Sequence, residues 1–481
     1  GKLGFTARGE VAVRDIVEND SRTTLTDKLA IGNIMPKRRP KLLFLAFPFP
    51  PAKTPGSVRT WNIATYLIRL GWDVTVVVPN PAILRNVEDS EKVSVELERA
   101  GIKRIITDHR WRCLAPNNLK CWNQGLGKLA GGACRVVARK LGIDRHIGWI
   151  KPTERACSNL TADDVDLIFA TGQPFAAFSL AKRLSERLGR PYVLDYRDPW
   201  TGNPHAQRHQ PLTATRREAS LLQDCAAITI VSPSWGSALD QRFGVGSKIH
   251  VVTNGYDSYE MTAVKPYDFG HCAFVYTGIF YPPKRSISPF LAALKLLRES
   301  PHGSANEWYF HYYGVDEKHV REQANRFGLT DRIVFHRQVP RLAALSAVKG
   351  ASLAVVITSV EEEETLEDKG IVTGKIFEAV GLATPVLLIA PMGSDASAIT
   401  ATTGLVKSFK GSEIQEMASF LEDVVRGQAP QPRNIENCSW AIISQNLDAL
   451  LRAVVVRDSC PILVGDGVGG RSGSSAPTQA R

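Results

Sequence analysis

No apolar run in this 481-residue chain approaches the roughly 18 residues that a membrane-spanning helix requires, so no spanning helix is expected. The opening residues lack the charged-then-apolar layout of a secretory signal, and the expected location is the cytoplasm. Paired cysteines are missing as well. The eight that occur, Cys113, Cys121, Cys134, Cys157, Cys225, Cys272, Cys438 and Cys460, form no Cys-x-x-Cys motif. That spacing argues against a structural zinc site and a thioredoxin-like centre, and for reduced thiols.

The familiar phosphate-binding glycine motifs are incomplete. Gly374-Lys375 has the look of a P-loop, but that motif needs four residues between its glycines and a Ser or Thr after the Lys. Here Gly370 and Gly374 are separated by three residues and Ile376 follows. Gly465, Gly467 and Gly470 spell G-x-G-x-x-G, yet only 11 residues remain after them, too few for a helix and a second strand. His205 and His209 have the i, i+4 spacing of a metal pair. Pro204 stands just before them and no third ligand is evident, so no metal site is expected.

What is present is an ordinary globular composition, 44% hydrophobic and 22% charged, in a chain longer than one core usually serves. Two domains are expected. Leu42 to Phe47, Val74 to Val78, Leu167 to Ala170, Tyr192 to Tyr196, Ala227 to Val231 and Ile249 to Val252 are mainly apolar runs, continuous rather than alternating in polarity. Such runs predict strands covered on both faces, hence a parallel sheet. After Ser258 to Phe269 the pattern restarts with Phe274 to Thr277, Trp308 to Tyr313, Ile333 to Phe335, Leu353 to Ile357 and Pro385 to Ile389. Helical spacing lies between, including Pro289 to Leu297, His319 to Phe327, Leu342 to Lys349 and Thr373 to Gly381.

The predicted fold class is therefore α/β, with two Rossmann-like doubly wound parallel-sheet domains facing across a cleft. The first spans 41–258 and the second 270–430, followed by a helix over 431–457. Residues 1–40 read as an irregular tail and 458–481 as a disordered one.

Charge is unevenly spread. The net charge is +11, and Gly101 to Arg155 holds 12 Lys or Arg against 3 Asp or Glu, together with Trp111, Trp122 and Trp149. Cations interleaved with indoles suit an anionic membrane surface or a lipid-phosphate acceptor. Nucleic acid would be drawn by the same field, and a plain solvated face gives the same count. No nucleic-acid partner is expected. Peripheral contact with the inner face of the plasma membrane through 101–155 is.

Ligands of doubly wound domains meet the loops at the carboxyl ends of strands, where helix N-termini present free N–H groups. Polar clusters stand there. Gly56, Ser57 and Arg59 follow the first strand; Asp195, Arg197, Asp198 and Trp200 follow the Tyr192 strand; Thr277, Gly278, Lys284 and Arg285 follow the first strand of the second half; Lys375 and Glu378 lie on a later helix.

In the order "PGSVRTWNIATYLIRLGWDVTVVVP", "PYVLDYRDPW", "VVTNGYD", "VYTGIFYPPKRS" and "GKIFEAVGLATPVLLIA", the chain resembles the GT-B fold glycosyltransferases, family 4-like, that build bacterial surface polysaccharides. The resemblance covers roughly Lys41 to Val455. It implies a nucleotide-sugar donor, UDP- or GDP-linked, on the C-terminal domain and a glycan or lipid-linked acceptor on the N-terminal one. It also implies transfer with retention of configuration, with no cofactor or obligatory metal. Carried over by position, Asp198, Lys284 and Glu378 are the expected catalytic residues. Gly278, Lys284, Arg285, Lys375, Glu378 and Asn254 are expected to bind the donor, with Glu378 on the ribose hydroxyls. Gly56, Ser57, Arg59 and Asp195 are expected to line the acceptor side.

Two departures accompany the resemblance. Counting back from Glu378 puts Gly370 where the family's first glutamate stands, and Ile279 stands where an arginine is common. A nucleotide-sugar epimerase or hydrolase of the same fold, or a non-catalytic nucleotide-sugar-binding subunit, remains an alternative reading.

Overall fold

The computed structural model describes residues 38–112, 114, 119–120, 126–203, 211–361 and 365–459. Trp122, His205, His209 and the glycines 465, 467 and 470 lie outside them, as do the two predicted tails save for their innermost residues. Strands β1 (Lys41–Leu45), β2 (Asp73–Pro79), β3 (Lys103–Thr107), β4 (Leu167–Gly172), β5 (Tyr192–Tyr196), β6 (Ala227–Ile230) and β7 (Ile249–Val251) form one sheet in the order β3-β2-β1-β4-β5-β6-β7. Strands β8 (Cys272–Thr277), β9 (Trp308–Tyr313), β10 (Ile333–Phe335), β11 (Leu353–Ile357), β12 (Val386–Ile389) and β13 (Val406–Phe409) form a second in the order β10-β9-β8-β11-β12-β13. Every ladder is parallel.

The continuous apolar runs explain this layering. Side chains alternate faces along a strand, so a run with no polar interruption needs a core on each side. Along β1, Leu43 and Leu45 enter one core while Leu42 and Phe44 enter the opposite one. Along β8, Phe274 and Tyr276 pack against Phe290 and Leu294, whereas Val275 faces Ile376, Phe377 and Val380. The edge strands β3 and β13 are absent from the run-based reading because their sequences, KRIIT and VKSF, carry Lys and Arg or Ser and are partly exposed. Lysine on an open edge discourages pairing with another chain.

Six helices matter below: α1 (Pro55–Arg69), α2 (Leu126–Lys140), α3 (Pro233–Phe243), α4 (Arg341–Gly350), α5 (Gly374–Gly381) and α6 (Trp440–Ser459). The last returns to the first lobe. Its Trp440, Ile443, Leu447 and Leu451 are buried with β1 residues, Asp448 accepts from Trp72 Nε1 at 2.6 Å, and Arg452 donates to Leu70 O at 2.8 Å.

The carboxyl ends of the two sheets meet directly. Ser234, in the first turn of α3, donates its N–H and Oγ to the Asp395 carboxylate at 2.7 and 2.8 Å, an anion placed on a helix N-terminus. The next residue, Trp235, donates from Nε1 to Glu367 O at 2.8 Å.

Candidate functional site

At the carboxyl end of β8 the chain turns at Gly278, with φ +125°, a backbone state that side chains disfavour. The space a side chain would fill there belongs to Lys375. A Cβ on Gly278 would stand 1.8 Å from the Lys375 Nζ. The same ammonium lies 5.2 Å from the centre of the Tyr276 ring. Burial, and then the nearby Arg285, pull its pKa down to about 8, against an opposing pull from Glu378.

Two more buried groups lie on the segments that bring Lys375 and Gly278 together. Lys375 is in the first turn of α5, and the residue capping that helix, Thr373, makes no side-chain capping bond; its Oγ1 is buried without a hydrogen-bond partner. Arg285 lies on a loop closed by reciprocal backbone bonds with Tyr281 at 3.1 and 3.0 Å, and its Nε is likewise buried and unpartnered. Buried polar groups are normally satisfied, which sets these two apart; an ammonium, a guanidinium and the first turn of a helix are donors of the kind an anion takes.

Lys284, expected among the catalytic and donor-binding residues, is engaged by carboxylates. Its ammonium bonds the buried Asp368 at 2.7 Å and lies 3.6 Å from Glu361. Burial opposes its charge, but these carboxylates hold its pKa above the usual range. Lys284 thus fixes the loop carrying Arg285, since Lys284 O also accepts from Val360 N at 2.7 Å.

Gly370, where the family's first glutamate would stand, is not an open position. A Cβ there would come within 2.2 Å of Trp235 Cδ1 from the other lobe. The indole packs on the bare backbone, so any side chain at 370 would meet the lobe contact.

Glu378 accepts from Arg341 Nη1 and forms no ion pair with Lys375, though its charge acts on that ammonium. Arg341 also donates from Nε and Nη2 to the two oxygens of Glu260, at 3.0 and 3.1 Å. A Lys375–Glu378 pair on one helix, the plain alternative for these two charges, is therefore not how they are arranged.

In the first lobe Arg59 and Asp195, expected to line the acceptor side, are engaged with each other. Both are buried, at 2% and 0% exposure. Arg59 Nη2 and Nε donate to Asp195 at 2.6 and 3.1 Å, and Thr171 and Thr229 hydroxyls donate to it at 2.7 and 2.8 Å. Burial alone would raise the Asp195 pKa, but Arg59 and the two hydroxyls hold it below the usual range. The remaining Arg59 N–H groups bond Val252 O, Thr253 O and the amide oxygen of Asn254, at 3.0, 2.9 and 3.1 Å. Asn254, expected on the donor, is thus tied to Arg59 in the first lobe. The network pins α1 across β4, β5 and β6 to the segment after β7.

Gly56 and Ser57 open α1, where Thr54 caps by accepting from Ser57 N. A Cβ on Gly56 would collide with Arg197 Nη1 at 1.4 Å, so the glycine makes room for the guanidinium. Arg197 donates to Gly172 O and Gln173 O at 3.0 and 2.8 Å. Asp198 follows it, half-buried. Arg341, Thr373 and Trp235 are functional candidates absent from the expected site, and Arg197 stands in the sequence reading only as part of the polar cluster after the Tyr192 strand. Thr373 carried a legible signal, a helix-capping residue type directly before GKIFE; the partners of the other three depend on tertiary placement.

In the basic window, Trp149 is fully buried, with Nε1 donating to Thr107 Oγ1 at 2.6 Å, so it cannot serve a membrane belt. Trp111 is 53% exposed. On α2 and just beyond it, Val136, Val137 and Leu141 are exposed beside Arg139 and Lys140. Among the described residues no helix is long and apolar enough to cross a membrane.

Residues 56–259 match the model of Glycosyltransferase Family 4. No curated protein sequence matches the chain. Among solved structures, sucrose-phosphate synthase from Thermosynechococcus elongatus is 14% identical with a TM-score of 0.55, covering 87% of this chain and 100% of that one. The N-terminal domain of Candida albicans trehalose-6-phosphate phosphatase is 11% identical with a TM-score of 0.54, covering 87% and 97%. The apo form of the lipopolysaccharide outer core galactosyltransferase WaaB is 13% identical with a TM-score of 0.52, covering 86% and 99%. The likeness is one of fold, GT-B, with two Rossmann-like lobes.

Proposed function

We propose that this chain, which matches the Glycosyltransferase Family 4 model over residues 56–259, transfers a sugar from UDP- or GDP-sugar to a glycan or lipid-linked acceptor, with retention of configuration. The observation that carries the reading is the Lys375 ammonium seated against Gly278, with the orphaned Arg285 Nε and Thr373 Oγ1 on the two segments that bring them together. A leaving nucleoside diphosphate develops negative charge, and fixed cations and helix N–H groups stabilise it without solvent reorganisation. Lys375 and Arg285 supply the charge, and α5 supplies the N–H groups. Glu378 receives the ribose hydroxyls. Asp198 is the carboxylate offered to the acceptor from the first lobe, beside Arg197, Gly56 and Ser57.

The acceptor side of the reading draws on the basic window. Exposed Val136, Val137 and Leu141 among Arg139 and Lys140 suit a headgroup region, with the apolar side chains inserted and the cations on phosphate. Sedimentation with anionic vesicles at low salt checks this contact, and failure to co-sediment would remove it.

Calorimetric titration of UDP and GDP tests the donor site. Replacing Lys375 by Met should weaken the preferred nucleotide by about 1–3 kcal/mol, the range for a charged hydrogen bond. Equal affinity in both proteins contradicts the proposal. Product analysis with nucleotide sugar then separates the reactions, because a hydrolase or epimerase converts donor with no acceptor present.

A further inference from the structure

Arg341 is the first residue of α4, a position where the helix dipole disfavours a cation. Its placement is explained by the two carboxylates that receive it. The guanidinium fork is bidentate on Glu260, and the remaining Nη1 reaches only one oxygen of Glu378. Glu260 belongs to the short helix Ser258–Ala263, capped by Asp257, whose carboxylate accepts from Tyr66 of α1 at 3.1 Å. A carboxylate of the second lobe is thereby braced, through one arginine, against the segment that leaves the first.

Stability is a poor reason for this arrangement. The side chains of Arg341 and Glu260 are each 41% exposed and that of Glu378 is 25% exposed, and exposed ion pairs add little to folding. Orientation is the better reason. Without Arg341, Glu378 would have Lys375 as its nearest cation, three residues back on the same helix face. That contact would spend both charges on each other.

We propose that Arg341 is a positioning residue for the donor's ribose: braced by Glu260, it holds Glu378 by Oε1, turns Oε2 toward the ribose hydroxyls, and keeps the carboxylate off Lys375. The inference rests on the reading that Glu378 receives the ribose. It adds that nucleotide discrimination at the sugar ring is set by a residue that touches no ligand. The guanidinium fork matters as well as the charge, since a lysine offers a single point and cannot engage Glu260 in two places while donating to Glu378.

The test compares affinities for UDP and 2′-deoxy-UDP, and for GDP and 2′-deoxy-GDP, across the native protein and the variants R341M, R341K, E260Q and E378A. A site built to hydrogen-bond a hydroxyl rejects the analogue that lacks it, so the native protein should prefer the ribose form, by about tenfold or more for one lost bond to a charged group. In E378A that preference should vanish. R341M should bring it to within about twofold while diphosphate-dependent binding persists, with R341K and E260Q intermediate. Full preference in R341M alongside its loss in E378A overturns the positioning role, even if R341M unfolds at lower temperature. Full preference in E378A overturns the ribose reading of Glu378 itself.

Discussion

The ammonium of Lys375 occupies the volume in which Gly278 would otherwise carry a side chain, with 1.8 Å separating Nζ from an ideal Cβ at that glycine. Two segments 97 residues apart in sequence thus form one surface, and the absence of a methyl group on one lets the charge of the other reach the loop.

Gly278→Ala should therefore damage nucleotide binding more than folding. The methyl group would push Lys375 aside, and φ +125° would add about 1–3 kcal/mol of backbone strain. We expect roughly tenfold weaker UDP or GDP binding, as for one lost charged hydrogen bond. Titration and thermal unfolding of the same preparation separate the two effects.

Nucleotide binding should take up a proton near pH 8. Burial and Arg285 hold the free Lys375 pKa down to about 8, whereas a diphosphate favours the ammonium, so its pKa rises on binding. Affinity is then flat below pH 8 and falls as pH rises through it, by at most about tenfold per unit for one proton. Calorimetry at pH 8 in buffers of different ionisation heat should show proton uptake in the native protein, and its loss in K375M.

Arg59→Met should destabilise the first lobe by about 3–5 kcal/mol, because it strands the Asp195 carboxylate in a site with no access to water. Asp195→Asn combined with Arg59→Met should recover part of that loss. Denaturant unfolding of the single and double variants gives the coupling, and equal stability of all of them would contradict the buried-pair account.

Placing a glutamate at position 370, where the resemblance puts one, should not raise activity. Its Cβ would meet the Trp235 indole at 2.2 Å, and overpacking of this kind costs about 1–3 kcal/mol. G370E should lower thermal stability and turnover together, and Trp235→Ala in the same chain should relieve the clash. Activity above native in G370E would show that the missing carboxylate, not the lobe contact, limits this site.

Much of the fold was legible because buried parallel strands leave a strong mark. The runs at Tyr192–Tyr196, Trp308–Tyr313 and Leu353–Ile357 coincide with β5, β9 and β11. Edge strands β3 and β13 leave a weaker one, since their exposed faces accept Lys and Ser. For the candidate site residues, the sequence gives positions along the chain but not the directions of the side chains. Gly278 and Lys375 meet, yet nothing local tells that Lys284 turns to Asp368 or that Arg59 and Asp195 close on each other inside the lobe. Arg341 opens a helix in a PRL context with no motif around it; only the approach of Glu260 and Glu378 gives it meaning.

The most direct measurement is an experimental structure with UDP or GDP bound. The account predicts the diphosphate within hydrogen-bond reach of Lys375 Nζ, Arg285 Nε and Thr373 Oγ1, with α5 pointing its N-terminus at the β-phosphate. A nucleotide bound elsewhere, with Lys375 still packed on Tyr276 and Thr373 still unpartnered, would contradict it.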